Sequence, residues 1–170
     1  MSATSLSSIA GRGTRRASND GFPELDDFYR NGRRTPFSLF IRYLRYGMEK
    51  KEICERIQRE RPDVVGISSS FAAYSRQAAE AAAVAKEVDR FIVTVMDGTH
   101  PTLFPRCVLE DGDVDYVVRG EGETPLRELV HGLSSGTGPR SKISGLSFRR
   151  NVVHHVGGIN TEDDIDTIPA

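Results

Sequence analysis

With two cysteines in 170 residues, Cys54 and Cys107, the sequence cannot build a disulfide framework. Nor can it supply the three or four thiolates of an iron–sulfur cluster or a structural zinc site. No run approaches the ~18 apolar residues that cross a bilayer. The opening MSATSLSSIAGRGTRR has no apolar core of signal-peptide length. A reducing, cytoplasmic location is therefore the expectation, with no membrane partner. No GxxxxGK[ST] occurs, which argues against a P-loop nucleotide site. What is present suits a packed domain: 38% apolar and 28% charged residues, enough for a core and a wet surface.

Charge is uneven although the formal net is −1. Residues 1–61 carry 13 Lys/Arg against 8 Asp/Glu, and the rest carry 10 against 16. A basic arm can touch nucleic acid. Here, however, Arg12, Arg15, Arg16, Arg30, Arg33 and Arg34 lie among Gly, Ser and Asn, with few of the aromatic platforms that single-strand binders use. Residues 1–34 read as a poorly ordered basic lead, and nucleic acid is not the expected partner.

The spacing then predicts elements. Thr35-Pro36 opens a helix whose Phe37, Phe40, Ile41 and Leu44 share a face, with Gly47 as its stop. A second helix spans about 49–60, ended by Arg61-Pro62. Val64–Ser68 is a β-branched run of the kind buried on both faces of a parallel sheet. Residues 72–88 form an alanine-rich helix, 91–96 the next strand, and Thr102 caps a short helix to Leu109. Residues 115–119 give a third strand, and Thr124-Pro125 opens a helix ending near Leu133. Residues 143–149 and 152–156 read as a hairpin, followed by an acidic linker at 157–170. Alternating strands and helices joined by short links imply right-handed parallel crossovers in an α/β layered fold.

In such a sheet ligands bind beyond the carboxyl ends of the strands. Three bends belong there: Ser68-Ser69-Ser70-Phe71, Asp97-Gly98-Thr99-His100-Pro101-Thr102 and Gly120-Glu121-Gly122-Glu123. Serines offer small hydroxyls, Gly98 allows close backbone approach, and the helices behind Thr102 and Thr124 aim N–H groups inward. Blander readings stay open. The serines can satisfy their own turn, the glycines can be plain turn residues, and Glu121 and Glu123 can be solvated or favour the helix start. His100 has no second ligand at metal spacing, His154 and His155 point to opposite faces of a strand, and His131 reads as helix surface.

In order, PDVVGISSSF, VTVMDGTHPT, VDYVVRGEGETPLRELV, ISGLSFRR and DDIDTIPA resemble the cobalamin-binding domain that precedes the barrel of cobalamin-dependent radical SAM enzymes. The resemblance covers roughly 46–170. It implies a Rossmann-like (flavodoxin-like) three-layer parallel sheet over 35–156, lacking its first strands and closing with a C-terminal β-hairpin. Ser5–Ala10 is the weak candidate for a missing strand. It implies that Ser68, Ser69 and Ser70 line the groove for the cobalamin nucleotide tail. Asp97, Gly98, Thr99 and His100 would border that tail, and Gly120, Glu121 and Gly122 would form its far wall.

The cofactor would be base-off, since no DxHxxG supplies a histidine ligand. The partner would be a radical SAM barrel in cis or trans, holding S-adenosylmethionine and a 4Fe–4S cluster; no CxxxCxxC occurs here, so no catalytic residue is assigned to this chain. Asp97 departs from the family's usual Gly-Gly. A receiver-like signalling or other α/β binding domain is the alternative, because Asp97 ends a central strand, although the acidic pair and lysine of receivers are missing.

Overall fold

The computed structural model describes residues 3–5, 16–18, 43–45, 47–136, 142–159 and 161. Two compact units divide the chain, one holding 1–7 with 50–170 and the other 8–49. In the smaller unit, β2 (Arg16–Ser18) pairs antiparallel with β3 (Tyr43–Arg45), Arg16 opposite Arg45. The helix expected from Thr35 onward therefore does not continue through Leu44. Ladder bonds from a segment 25 or more residues earlier replace the local helical pattern there. Residues 35–42 lie outside the described residues, as does most of the basic lead.

The larger unit is built on a six-stranded sheet in the order β1-β4-β5-β6-β7-β8. Its strands are β1 (Ala3–Ser5), β4 (Val64–Ser68), β5 (Val93–Asp97), β6 (Tyr116–Val118), β7 (Leu146–Arg149) and β8 (Val153–His155). β1, β4, β5 and β6 run parallel, and β7 and β8 add the expected antiparallel hairpin. One short strand does stand ahead of β4. It lies at Ala3–Ser5, overlapping the Ser5–Ala10 candidate only at Ser5.

The helices are α1 (Lys50–Glu60), α2 (Ser75–Val88, after a 3-10 turn at Ala72–Tyr74), α3 (Thr99–Leu103), α4 (Pro105–Glu110) and α5 (Glu123–Ser135). Period-2 alternation sorts the strand residues into two faces. Val64, Val95, Tyr116, Val118 and Leu146 share one face and pack with Leu129 of α5, supported by Leu126 and Leu133. On the other face Val65, Ile67, Met96 and Val117 are almost wholly buried. The crossovers through α2 and through α3–α4 both step from strand to neighbouring strand in one direction, so right-handedness puts them on that second face. The alanine stripe Ala78, Ala81, Ala82 and Ala85 is buried there, small enough to bring α2 close.

A polar lock sits at the opposite end of β5 from the bends. Buried Thr94 donates from its amide to Asp115 Oδ2 (2.8 Å) and from its hydroxyl to the Asp113 carbonyl (2.6 Å). Lys86 Nζ from α2 donates to the same Asp115 oxygen (2.5 Å) and to the Ile92 carbonyl (2.6 Å). Few buried polar groups are tolerated without such partners, and this set fixes α2 to the entrance of β5. In the hairpin, Ser147 lies 2.8 Å from His155 Nδ1 while His154 stacks on Phe148, so the two histidines do take opposite faces. His131 is exposed on α5.

Candidate functional site at the carboxyl rim

Register brings the bends together. Ser68 pairs with Asp97, the last residues of β4 and β5, and Met96 pairs with Val117 of β6. β4, β5 and β6 thus end at one rim, where the segments 68–71, 97–102 and 120–123 emerge.

The first two bends are stitched through their backbones. Ser69 N–H donates to the Asp97 carbonyl (2.8 Å), and His100 N–H donates to the Ser69 carbonyl (3.1 Å). Gly98 makes this approach possible. Its φ is +104°, a region L side chains avoid, and a Cβ there would lie 2.7 Å from the Ser69 carbonyl oxygen. The room left by the missing side chain is filled by the Ser69 peptide, so the glycine's smallness serves the joining of two bends rather than direct access for a ligand.

Three polar atoms on this pair of bends are buried with no hydrogen-bond partner among the described residues: Ser69 Oγ, Asp97 Oδ1 and His100 Nδ1. Ser69 is 3% exposed, whereas Ser68 and Ser70 on either side are exposed. Thr99 is exposed on the first turn of α3, and the His100 ring lies 5.5 Å from that of Phe104.

Asp97 faces α5. Its carboxyl is hydrogen-bonded to Ser68, and Oδ2 lies 3.4 Å from where a Cβ of Gly122 would be. Burial pushes its pKa above the ordinary carboxylate range, and the Glu123 charge pushes the same way against the Ser68 hydrogen bond.

The third bend is tied to the second by a bond the sequence did not suggest. Gly120 N–H donates to Thr102 Oγ1 (3.0 Å). Thr102 was expected to cap a helix; instead α3 begins at Thr99 with Gly98 at its N-cap, and Thr102 is a cross-link within it. Likewise α5 begins at Glu123 behind Gly122, one residue before Thr124. Glu121 is exposed on the same bend. Arg119, just before it, holds the outgoing segment. Its Nη2 donates to the carbonyls of Val156 (3.1 Å) and Gly157 (3.0 Å).

Two further features escaped the sequence reading. Gly66 lies on the α5 face, in register with Val95 and two residues before Ser68, and among the described residues nothing stands within 4 Å of where its Cβ would be. A glycine between valine and isoleucine was the available signal, because strand interiors take glycine where something must approach the backbone. Phe71 (67% exposed), Tyr74, Leu103 and Phe104 (52%) are uncovered on the segments leaving β4 and β5, with Phe71 and Tyr74 edge to face at 6.2 Å. The carboxyl rim thus carries open space over Gly66, the exposed Ser68 hydroxyl and the half-buried Asp97 carboxyl on the α5 face, and exposed aromatic rings on the segments that leave β4 and β5. Such a combination takes a flat organic body with a polar appendage.

Comparison with known proteins places the chain in a family and a fold. Residues 39–130 match the B12 binding domain family. An uncharacterised methyltransferase of Pyrococcus horikoshii is 37% identical over 101 residues, covering 59% of this chain and 22% of that protein. A cytidylyl-2-hydroxyethylphosphonate methyltransferase of Streptomyces wedmorensis is 32% identical over 107 residues (63% and 20%). An anaerobic magnesium-protoporphyrin IX monomethyl ester cyclase of Rubrivivax gelatinosus is 30% identical over 113 residues (65% and 20%). The chain thus spans about a fifth of the length of these relatives. Among solved structures, the radical S-adenosylmethionine methyltransferase TsrM of Kitasatospora setae, with tryptophan and a SAM analogue bound, superposes with a TM-score of 0.56 at 21% identity, covering 64% of this chain and 21% of that one. The cobalamin-dependent S-adenosylmethionine radical enzyme OxsB with aqua-cobalamin and S-adenosylmethionine bound gives 0.56 at 16% identity (68% and 16%). These likenesses establish the fold.

Proposed function

Because this chain belongs to the B12 binding domain family, we propose that it holds cobalamin at the carboxyl rim of its sheet, as the cofactor-carrying part of a radical SAM-type methyltransferase or cyclase. The observation that carries this reading is the open space over Gly66 together with buried polar atoms that have no partner among the described residues. Open space there admits a flat group against the sheet, and orphaned buried polar atoms are what a ligand relieves. In this reading the nucleotide tail lies over Gly66 between β4, β5 and the start of α5. Ser68, Ser69, Ser70 and Asp97 line it, Gly98, Thr99 and His100 border it, and Gly120, Glu121 and Gly122 form the far wall. Phe71 and Phe104, exposed where the chain leaves β4 and β5, would offer the corrin ring its apolar surface.

Bound cobalamin would supply alkyl-group chemistry at cobalt, while the protein's part is binding and orientation. The cofactor would be held base-off, with no histidine ligand expected from this chain. S-adenosylmethionine and the 4Fe–4S cluster belong to a radical SAM barrel in cis or trans, in the cytoplasm. No helix among the described residues is long and apolar enough to cross a membrane.

The test is co-elution of the full chain with hydroxocobalamin, read by corrin absorbance under the protein peak. Gly66→Phe should abolish co-elution while keeping the thermal midpoint, because the added ring enters open space. A colourless protein peak under saturating ligand defeats the proposal.

A further inference from the structure

Resting on the cobalamin reading, we infer that Asp97 makes this site discriminate among cobamides, favouring a nucleotide tail whose lower base carries a hydrogen-bond donor. The amino group of adenine is such a donor; dimethylbenzimidazole, the lower base of cobalamin, offers none.

The argument starts from where the carboxyl sits. Asp97 ends β5 on the face covered by α5, in register with Ser68, and on the same side as Gly66. The carboxyl is hydrogen-bonded to Ser68, and its Oδ2 lies on the Gly122 side, 3.4 Å from where a Cβ of that glycine would be. The other oxygen, Oδ1, is buried and has no partner among the described residues. An ionised carboxylate only accepts hydrogen bonds. An N–H or O–H is therefore what the site asks of its occupant. Glu123, at the first turn of α5 and close enough to act on Asp97 electrostatically, adds a second negative charge and makes another acceptor unwelcome.

The space over Gly66 is open, and the polar pair Ser68 and Asp97 stands two residues further along the strands on the same face. A planar base lying over Gly66 presents its edge to Asp97. If that edge carries methyl groups, Oδ1 stays desolvated and unpaired. If it carries an amine, the hydrogen bond is made. Sites built around a hydrogen bond reject analogues that lack it more strongly than apolar pockets reject a missing methylene. Hydrogen bonds to charged groups contribute on the order of tenfold or more in affinity.

Calorimetric titration of the full chain at pH 8 with three probes tests this: adeninyl-cobamide, cobalamin, and cobinamide, which has no nucleotide. The wild type should bind adeninyl-cobamide about tenfold tighter than cobalamin. Asp97→Ala, which removes the carboxyl, should bring the two within about twofold. Equal affinities in the wild type overturn the inference whatever the variant does, and so does a preference that survives in Asp97→Ala. Binding of none of the three overturns the cobalamin reading itself, and the inference falls with it.

Discussion

Gly98→Ala is the sharpest probe of how the rim is assembled. Alanine at φ +104° sits where only glycine is comfortable, which costs about 1–3 kcal/mol. Its methyl would also lie 2.7 Å from the Ser69 carbonyl oxygen and 2.8 Å from the carbonyl carbon, closer than such atoms pack. The obstacle is backbone rather than a flexible side-chain end, so the two bends must part by several tenths of an ångström. That movement loosens the Ser69–Asp97 and His100–Ser69 hydrogen bonds, each worth about 1 kcal/mol net. The expected loss is about 3–5 kcal/mol, a large part of the ~5–15 kcal/mol typical of a domain. Urea unfolding followed by circular dichroism measures it. Gly136→Ala is the control, because Gly136 also has positive φ (+66°) but, among the described residues, nothing within 4 Å of its Cβ position, so it should cost only about 1 kcal/mol. If Gly98→Ala destabilises no more than Gly136→Ala, the claim that Gly98 exists to let Ser69 approach is wrong.

Other expectations follow from the same geometry. Because burial and Glu123 raise the Asp97 pKa in the folded state, its ionised form weakens the fold at neutral pH, and the penalty is relieved as pH falls through the folded value toward the unfolded one. Asp97→Asn should therefore raise the thermal midpoint at pH 7.5, with the gain shrinking as pH falls through the raised folded-state pKa toward the unfolded one; a gain independent of pH refutes the assignment. Asp115→Ala leaves Lys86 Nζ and the Thr94 amide without their shared acceptor and should cost about 1–3 kcal/mol in urea unfolding. An unchanged midpoint would show the lock to be idle. Phe71→Ala with Phe104→Ala should weaken hydroxocobalamin binding about tenfold at unchanged stability, since both rings are largely solvent-exposed; unchanged affinity removes them from the corrin contact.

Much of this molecule is legible in the chain itself. Val64–Ser68 is a strand with the predicted limits because a short β-branched run has few other uses. The alanine stripe of α2 and the terminal hairpin follow from period alone. Three bends at the carboxyl ends of adjacent parallel strands follow from right-handed crossovers, so candidate ligand residues could be named before any coordinate. Tertiary structure decided what those residues touch. That the space beside Gly98 goes to Ser69, that Thr102 binds Gly120 instead of capping, and that Leu44 lies in a strand all depend on partners 18 or more residues away. Local pattern carries no information about such pairings. Gly66 shows the division most plainly: its identity hinted at a close approach, but only the register of β4 with β5 and the position of α5 put the opening beside Asp97. Periodicity is a property of neighbours along the chain, whereas an unpartnered carboxyl oxygen is a property of everything folded around it.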